Sequence, residues 1–153
     1  KILGSIAFEQ ELENVLNHFQ TYVFDRLIEC PLVPGIEEIL IYLSNQQKRC
    51  FVISGADEVE LHQILSAHGL NDYFETVFGS PATKTEIMRV LFKSTGMSPH
   101  KGLFFGDSEE DFRVCGKFDI ECILVTHRTN WKNGSNICRK LGGRQITDFT
   151  AIR

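Results

Sequence analysis

Four short apolar runs, each followed by a helical pattern, limit what this chain can fold into more than any other feature. They are CFVIS (50–54), ETVFGS (75–80), GLFFG (102–106) and IECILVT (120–126). Runs this short and rich in β-branched and aromatic residues read as strands, and CFVIS as one buried on both faces in a parallel sheet. The stretches between them carry helical spacing. DEVELHQILSAHG turns Leu61, Ile64 and Leu65 inward and stops at Gly69. Thr83 and Glu86 have capping-box spacing, which opens a helix to about Lys93. A short helix runs from about Ser108 to Cys115, and NGSNICRKLGG gives another, ended by Gly142 and Gly143. RQITDF follows as a weak edge strand. This alternation predicts a doubly wound α/β fold, a three-layer Rossmann-like parallel sheet.

Upstream, Leu12, Val15, Leu16, Phe19 and Val23 form a helical stripe between Phe8 and Phe24. PLVPG (31–35) breaks the chain. A new helix then starts with Pro34 in its first turn, Glu37 and Glu38 at its positive end, and Ile36, Ile39, Leu40 and Leu43 inward.

With 153 residues, 42% of them hydrophobic, the chain is long enough to bury a core as one domain. Its net charge of −4 provides no basic surface for nucleic acid. No apolar stretch reaches the ~20 residues of a membrane span. Five scattered cysteines, Cys30, Cys50, Cys115, Cys122 and Cys138, form no C-x-x-C pair. Free thiols in apolar runs suit a reducing compartment, so a cytoplasmic location is expected. The opening KILGSIAFEQELENVL reads as a helix already under way, which suggests a processed chain or a fragment of a longer protein.

In a doubly wound sheet, ligands bind beyond the carboxyl ends of the strands. That rule gathers Ser54-Gly55, Lys84, and the pair Asp107 and Asp111 along one edge. The acids belong to LFFGDSEEDF (103–112), where Asp107, Glu109, Glu110 and Asp111 crowd together and call for a cation. A hydroxyl, a backbone N–H, an ammonium and a carboxylate pair suit phosphate handling with Mg²⁺. His62, His68, His100 and His127 lack metal-ligand spacing, and Trp131 reads as packing.

FVISGA, GSPATK and FFGDSEED, in that order and each after its own strand, resemble the motifs of the haloacid dehalogenase-like phosphohydrolases. The resemblance covers roughly residues 31–126 and takes in PGIEEILIYL and GLNDYFETVFGS. It is nearest to the phosphoglycolate-phosphatase-like branch, which carries a small helical cap. It implies that residues 1–30 are the end of that cap and 31–153 the α/β core. In this family an aspartate attacks phosphorus to form a phosphoaspartyl intermediate, a second aspartate two residues later transfers protons, and Mg²⁺ bridges nucleophile and phosphate. The resemblance then assigns Ser54 and Gly55 to phosphate binding, and Lys84 to steadying phosphate and nucleophile. It gives Mg²⁺ to Asp107, with Asp111 supporting it directly or through water and hydrogen bonds.

The family's D-x-D-x-[TV] nucleophile motif is missing. Its lookalike, TYVFDRLIE, has Leu27 where the second aspartate belongs, and Asp25 reads as part of the cap helix. The expectation is therefore a Mg²⁺-dependent phosphatase of small phosphorylated metabolites whose central first strand lies outside this chain, leaving it inactive alone. That strand would be a missing segment or a separate N-terminal fragment. The alternative is a non-catalytic binding or regulatory module in which KILGSIAF fills the central slot. A sugar-phosphate mutase fits the same residues. A dinucleotide-binding domain does not, because SGADEVE lacks G-x-G-x-x-G.

Overall fold

The computed structural model describes residues 2–152; for residues 2–7, 17, 19–21, 23 and 25 it describes the backbone alone. Helices α1 (Ile2–Ile28) and α2 (Ile36–Asn45) come first. Strands and helices then alternate: β1 (Phe51–Asp57), α3 (Glu58–Ala67), β2 (Thr76–Ser80), α4 (Lys84–Thr95), β3 (Leu103–Gly106), α5 (Glu109–Phe118), β4 (Glu121–Val125), α6 (Gly134–Lys140) and β5 (Arg144–Ile146). Every strand pairing is parallel, as the alternating pattern predicts.

The strands do not join into one sheet. Among the described residues β1 pairs only with β2, and β3, β4 and β5 form a second sheet in that order. β1 and β3 therefore each keep one edge without a strand partner. The expected burial of CFVIS on both faces is not met: Phe51, Val52 and Ile53 are half-buried, because a strand with one neighbour has only part of its surface covered. β4, flanked on both edges, buries Ile123 and Leu124. The segment KILGSIAF fills no central slot, since residues 2–8 lie in α1 and Lys1 lies outside the described residues.

Helix boundaries follow local chemistry. α2 begins at Ile36, so Pro34 lies just before the helix and not in its first turn as expected. Gly35 takes the cap position at φ 79°, and its missing side chain lets the backbone of Phe149 and Thr150 approach. A Cβ there would lie 2.6 Å from the Phe149 carbonyl carbon. The Phe149 N–H donates to the Pro34 carbonyl at 2.9 Å, and its ring packs edge-on against Phe105. The C-terminal segment thus ties the start of α2 to β3. After α3, the Leu70 N–H returns to the Leu65 carbonyl at 2.8 Å, closing the helix around Gly69.

Met88, Val114, Leu124 and Cys138 are almost fully buried and mark a core beneath α4, α5 and α6. On α1, by contrast, Phe8, Leu12, Val15 and Leu16 are exposed. The side chains of Phe19, Val23 and Asp25 lie outside the described residues. No described helix is long and apolar enough to cross a membrane.

Candidate active site

β1 ends in an irregularity that shapes the first part of the site. Ile53 lies opposite Phe78 and Asp57 opposite Ser80, so Ser54, Gly55 and Ala56 all face the single residue Gly79. This bulge lifts Ser54-Gly55 out of the regular ladder. The Ser54 hydroxyl accepts from the Ala56 N–H at 3.1 Å, while Gly55 is exposed with open space around it. Asp57 then caps α3, accepting from Val59 and Glu60 N–H at 2.9 and 3.1 Å.

Lys84 is the first residue of α4, set there by the capping box formed by Thr83 and Glu86. The Thr83 backbone N–H, and after it the Thr83 hydroxyl, hold the Glu86 carboxyl below its usual range. Lys84 turns away from its own cap. Its Nζ meets Asp111 Oδ1 at 2.6 Å, joining a residue that follows β2 to one that follows β3. That bridge spans the two sheets, with side chains only 15% and 3% exposed.

Asp111 is the centre of the arrangement. It is 2% exposed, the one buried charged residue among those described. Its Oδ2 accepts from the Ser108 hydroxyl at 2.6 Å and from the N–H groups of Ser108 and Asp107 at 3.1 and 3.2 Å. The Asp111 N–H in turn donates to the Ser108 hydroxyl at 3.2 Å, a second capping box. Three donors and the Lys84 ammonium compensate the burial of this carboxylate. Gly106 makes room for it, since a Cβ there would lie 2.5 Å from that of Asp111.

Asp107 differs in every respect. Its side chain is exposed and makes no hydrogen bond or ion pair among the described residues. Its backbone is fixed at both ends, the N–H by Asp111 and the carbonyl by the Thr129 hydroxyl. The structure therefore brings Lys84, Asp107 and Asp111 into one network. Ser54 and Gly55 sit in the bulge inside β1, and neither hydrogen-bonds to that network among the described residues. No group of three or more His, Cys, Asp or Glu gathers into a metal cage among the described residues.

Two members of the network were not singled out from sequence. Ser108 was legible, because S-E-E-D has the spacing of a capping box. Thr129 carried no signal: a hydroxyl in the loop after β4 has nothing in its neighbours to mark it.

Residues 1–125 match the family model described as haloacid dehalogenase-like hydrolase. Phosphoglycolate phosphatase 1 of Pseudomonas aeruginosa is 26% identical over 127 residues, 80% of this chain and 47% of that protein. The chain spans about half the length of the curated relatives it matches. Among solved structures, a predicted phosphoglycolate phosphatase from Haemophilus somnus has a TM-score of 0.74 at 21% identity, covering 89% of this chain and 62% of that one. A haloacid dehalogenase-like family protein from Streptococcus pneumoniae reaches 0.72 at 17% identity, covering 90% and 65%. These structures share the fold, and the family model spans most of the sequence, including every residue of the network apart from Thr129. The chain belongs to the haloacid dehalogenase-like hydrolases.

Proposed function

We propose that this chain is part of a Mg²⁺-dependent phosphatase of small phosphorylated metabolites, with α1 as the end of a helical cap and residues 31–153 as the catalytic core. The observation that carries the reading is the buried Lys84–Asp111 bridge, which joins the carboxyl ends of the two half-sheets beside an unpaired, exposed Asp107. Lys84 is close enough to that edge to neutralise phosphate charge. The Ser54 hydroxyl and the Gly55 N–H supply hydrogen bonds to phosphoryl oxygens from the bulge of β1.

The donor set fits Mg²⁺, a hard cation that takes one or two carboxylates together with water and substrate oxygens. Asp107 would hold it, being the carboxylate with no other partner. Asp111 has its oxygens committed to Lys84, Ser108 and two N–H groups, so its part is to hold the loop on which Asp107 stands. Bound there, the ion would offset phosphate charge and polarise the bond to be broken.

The attacking carboxylate belongs, in this reading, to a strand outside residues 1–153 that pairs with the free edges of β1 and β3. It would form the phosphoaspartyl intermediate. The test mixes the chain with a peptide of apolar residues followed by D-x-D, adds Mg²⁺, and follows hydrolysis of an aryl phosphate. Turnover that appears with the peptide and falls ~10²-fold or more in Asp107→Ala supports the proposal. Mg²⁺ and phosphate binding without any turnover would make the chain a non-catalytic binding module instead.

A further inference from the structure

The loop between β4 and α6 is clamped onto the loop that carries Asp107, and no part of the proposed phosphate chemistry yet uses it. Two hydrogen bonds build the clamp, one reaching across to the acidic loop and one inside the β4–α6 loop. The Thr129 hydroxyl donates to the Asp107 carbonyl oxygen, and the Trp131 N–H donates to Thr129 Oγ1 at 3.1 Å. These bonds run head to tail, from Trp131 N–H through the hydroxyl to the carbonyl, so each polarises the next. The Trp131 ring also packs on Phe112, with centroids 5.3 Å apart. Phe112 directly follows Asp111 in α5. Gly134 makes this possible, since a Cβ there would lie 2.7 Å from the indole ring. Backbone and ring are thus held on both sides of the acidic loop.

A hydroxyl is the only kind of side chain that fits this chain of bonds. It must accept from Trp131 and donate to Asp107 at once. Valine has the same shape and does neither. On the other side of the same loop, the Asp107 N–H and Ser108 N–H are held by Asp111. Asp111 holds the N–H of Asp107 and Thr129 its carbonyl, leaving the exposed Asp107 carboxylate as the free group of the loop.

We infer that Thr129 is a positioning residue, which sets the direction of the Asp107 carboxylate by holding its backbone carbonyl. The inference rests on the reading of Asp107 as the cation-binding group only for its functional consequence; the clamp itself is independent of it. The loss of one well-made hydrogen bond corresponds to about a fivefold change in an equilibrium.

The test compares the full chain with Thr129→Val and Thr129→Ser by two readouts. The first is amide exchange at Asp107 and Ser108, measured by NMR. Exchange about fivefold faster in Thr129→Val, restored in Thr129→Ser, is expected, with global unfolding little changed. Equal rates in all three proteins would overturn the inference. Should Thr129→Val not fold, Thr129→Ala serves in its place, with the same expectation. The second readout is Mn²⁺ binding by electron paramagnetic resonance. Affinity about fivefold weaker in Thr129→Val and recovered in Thr129→Ser extends the role to the cation. No Mn²⁺ binding to the wild-type chain would overturn the metal reading of Asp107, while the exchange rates would still decide the role of Thr129.

Discussion

β1 and β4 begin from nearly the same material and end in different environments. Phe51, Val52 and Ile53 are as apolar as Cys122, Ile123 and Leu124. Yet Leu124 is 0% and Ile123 5% exposed, while no residue of β1 is fully buried. The difference lies in the neighbours. Among the described residues β4 is hydrogen-bonded on both edges, to β3 and β5, whereas β1 has β2 alone. Burial in a parallel sheet is therefore a property of the second neighbour as much as of the run itself. A free edge beside half-covered apolar residues is the kind of surface a further strand would complete.

Truncating the same chemistry in the two strands gives the largest expected effect and the most direct test of that contrast. Leu124→Ala should lower unfolding stability by about 4 kcal/mol, because a fully enclosed site leaves a cavity. Ile53→Ala should cost about half as much, since less area is withdrawn from water. Urea unfolding of both variants decides it. Equal costs would mean that β1 is as well covered in solution as β4, and the contrast would fail. If a strand peptide fills the free edge, the Ile53→Ala cost should rise towards that of Leu124→Ala when the peptide is present.

The second effect concerns what holds the two sheets together. Asp111→Asn keeps the shape of the side chain but leaves Lys84 facing a neutral amide in a nearly closed site. A loss of about 3 kcal/mol is expected, as for other broken buried pairs. The pair Arg49–Glu75 makes the fitting control. It is just as short, at 2.5 Å, but its side chains are 42% and 44% exposed. Glu75→Gln should leave the urea midpoint close to wild type. A large effect from the exposed pair, or none from the buried one, would show that the bridge does not join the halves.

Much of this was legible in the sequence, and the reasons differ by element. Strands β2, β3 and β4 announced themselves because their apolar runs are short and bounded by turn residues. α4 was marked by Thr83 and Glu86, whose spacing is a local chemical instruction. The rule about strand ends put Lys84, Asp107 and Asp111 on one edge, but not the bond between Lys84 and Asp111. What stayed hidden depends on distant parts of the chain. No local pattern states that β1 lacks a second neighbour, that Gly35 yields to Phe149, or that Thr129 reaches back to Asp107. Spacing and charge alone also did not tell Asp107 from Asp111, two acids four residues apart; only the family resemblance gave them different parts. Burial against Gly106 makes one a structural anchor and leaves the other free.

A third effect is smaller and local. Thr83→Ala removes the side-chain acceptor at the start of α4, at a cost of about 1 kcal/mol. Because α4 packs against both β1 and α5, the loss should weaken both half-sheets together. Amide exchange should then accelerate on β1 and on α5 alike. Acceleration confined to one of them would show that α4 belongs to a single half.

The smallest effect is set by pH, and its sign follows from which form the fold favours. Glu75 is held below the ordinary glutamate value of 4.5, first by its hydrogen bond from Arg49, and Glu86 by the Thr83 N–H and hydroxyl. Asp148 is lowered from 3.8 in the same way by the Thr150 hydroxyl and N–H. In each case the folded chain prefers the ionised carboxylate. The stabilisation is therefore fully present above the unfolded values and is lost as pH falls through the lower folded ones. Glu75 and Glu86 belong to the β1–β2 half and its following helix, and Asp148 to the segment after β5, so acid should loosen both halves rather than one. Stability measured between pH 6 and pH 3 should decline, and the decline should be shallower in Glu86→Gln, which no longer titrates. An identical slope in that variant would mean that the Glu86 carboxylate is no better held in the folded chain than in the unfolded one. The capping box at Thr83 would then contribute through its hydroxyl alone.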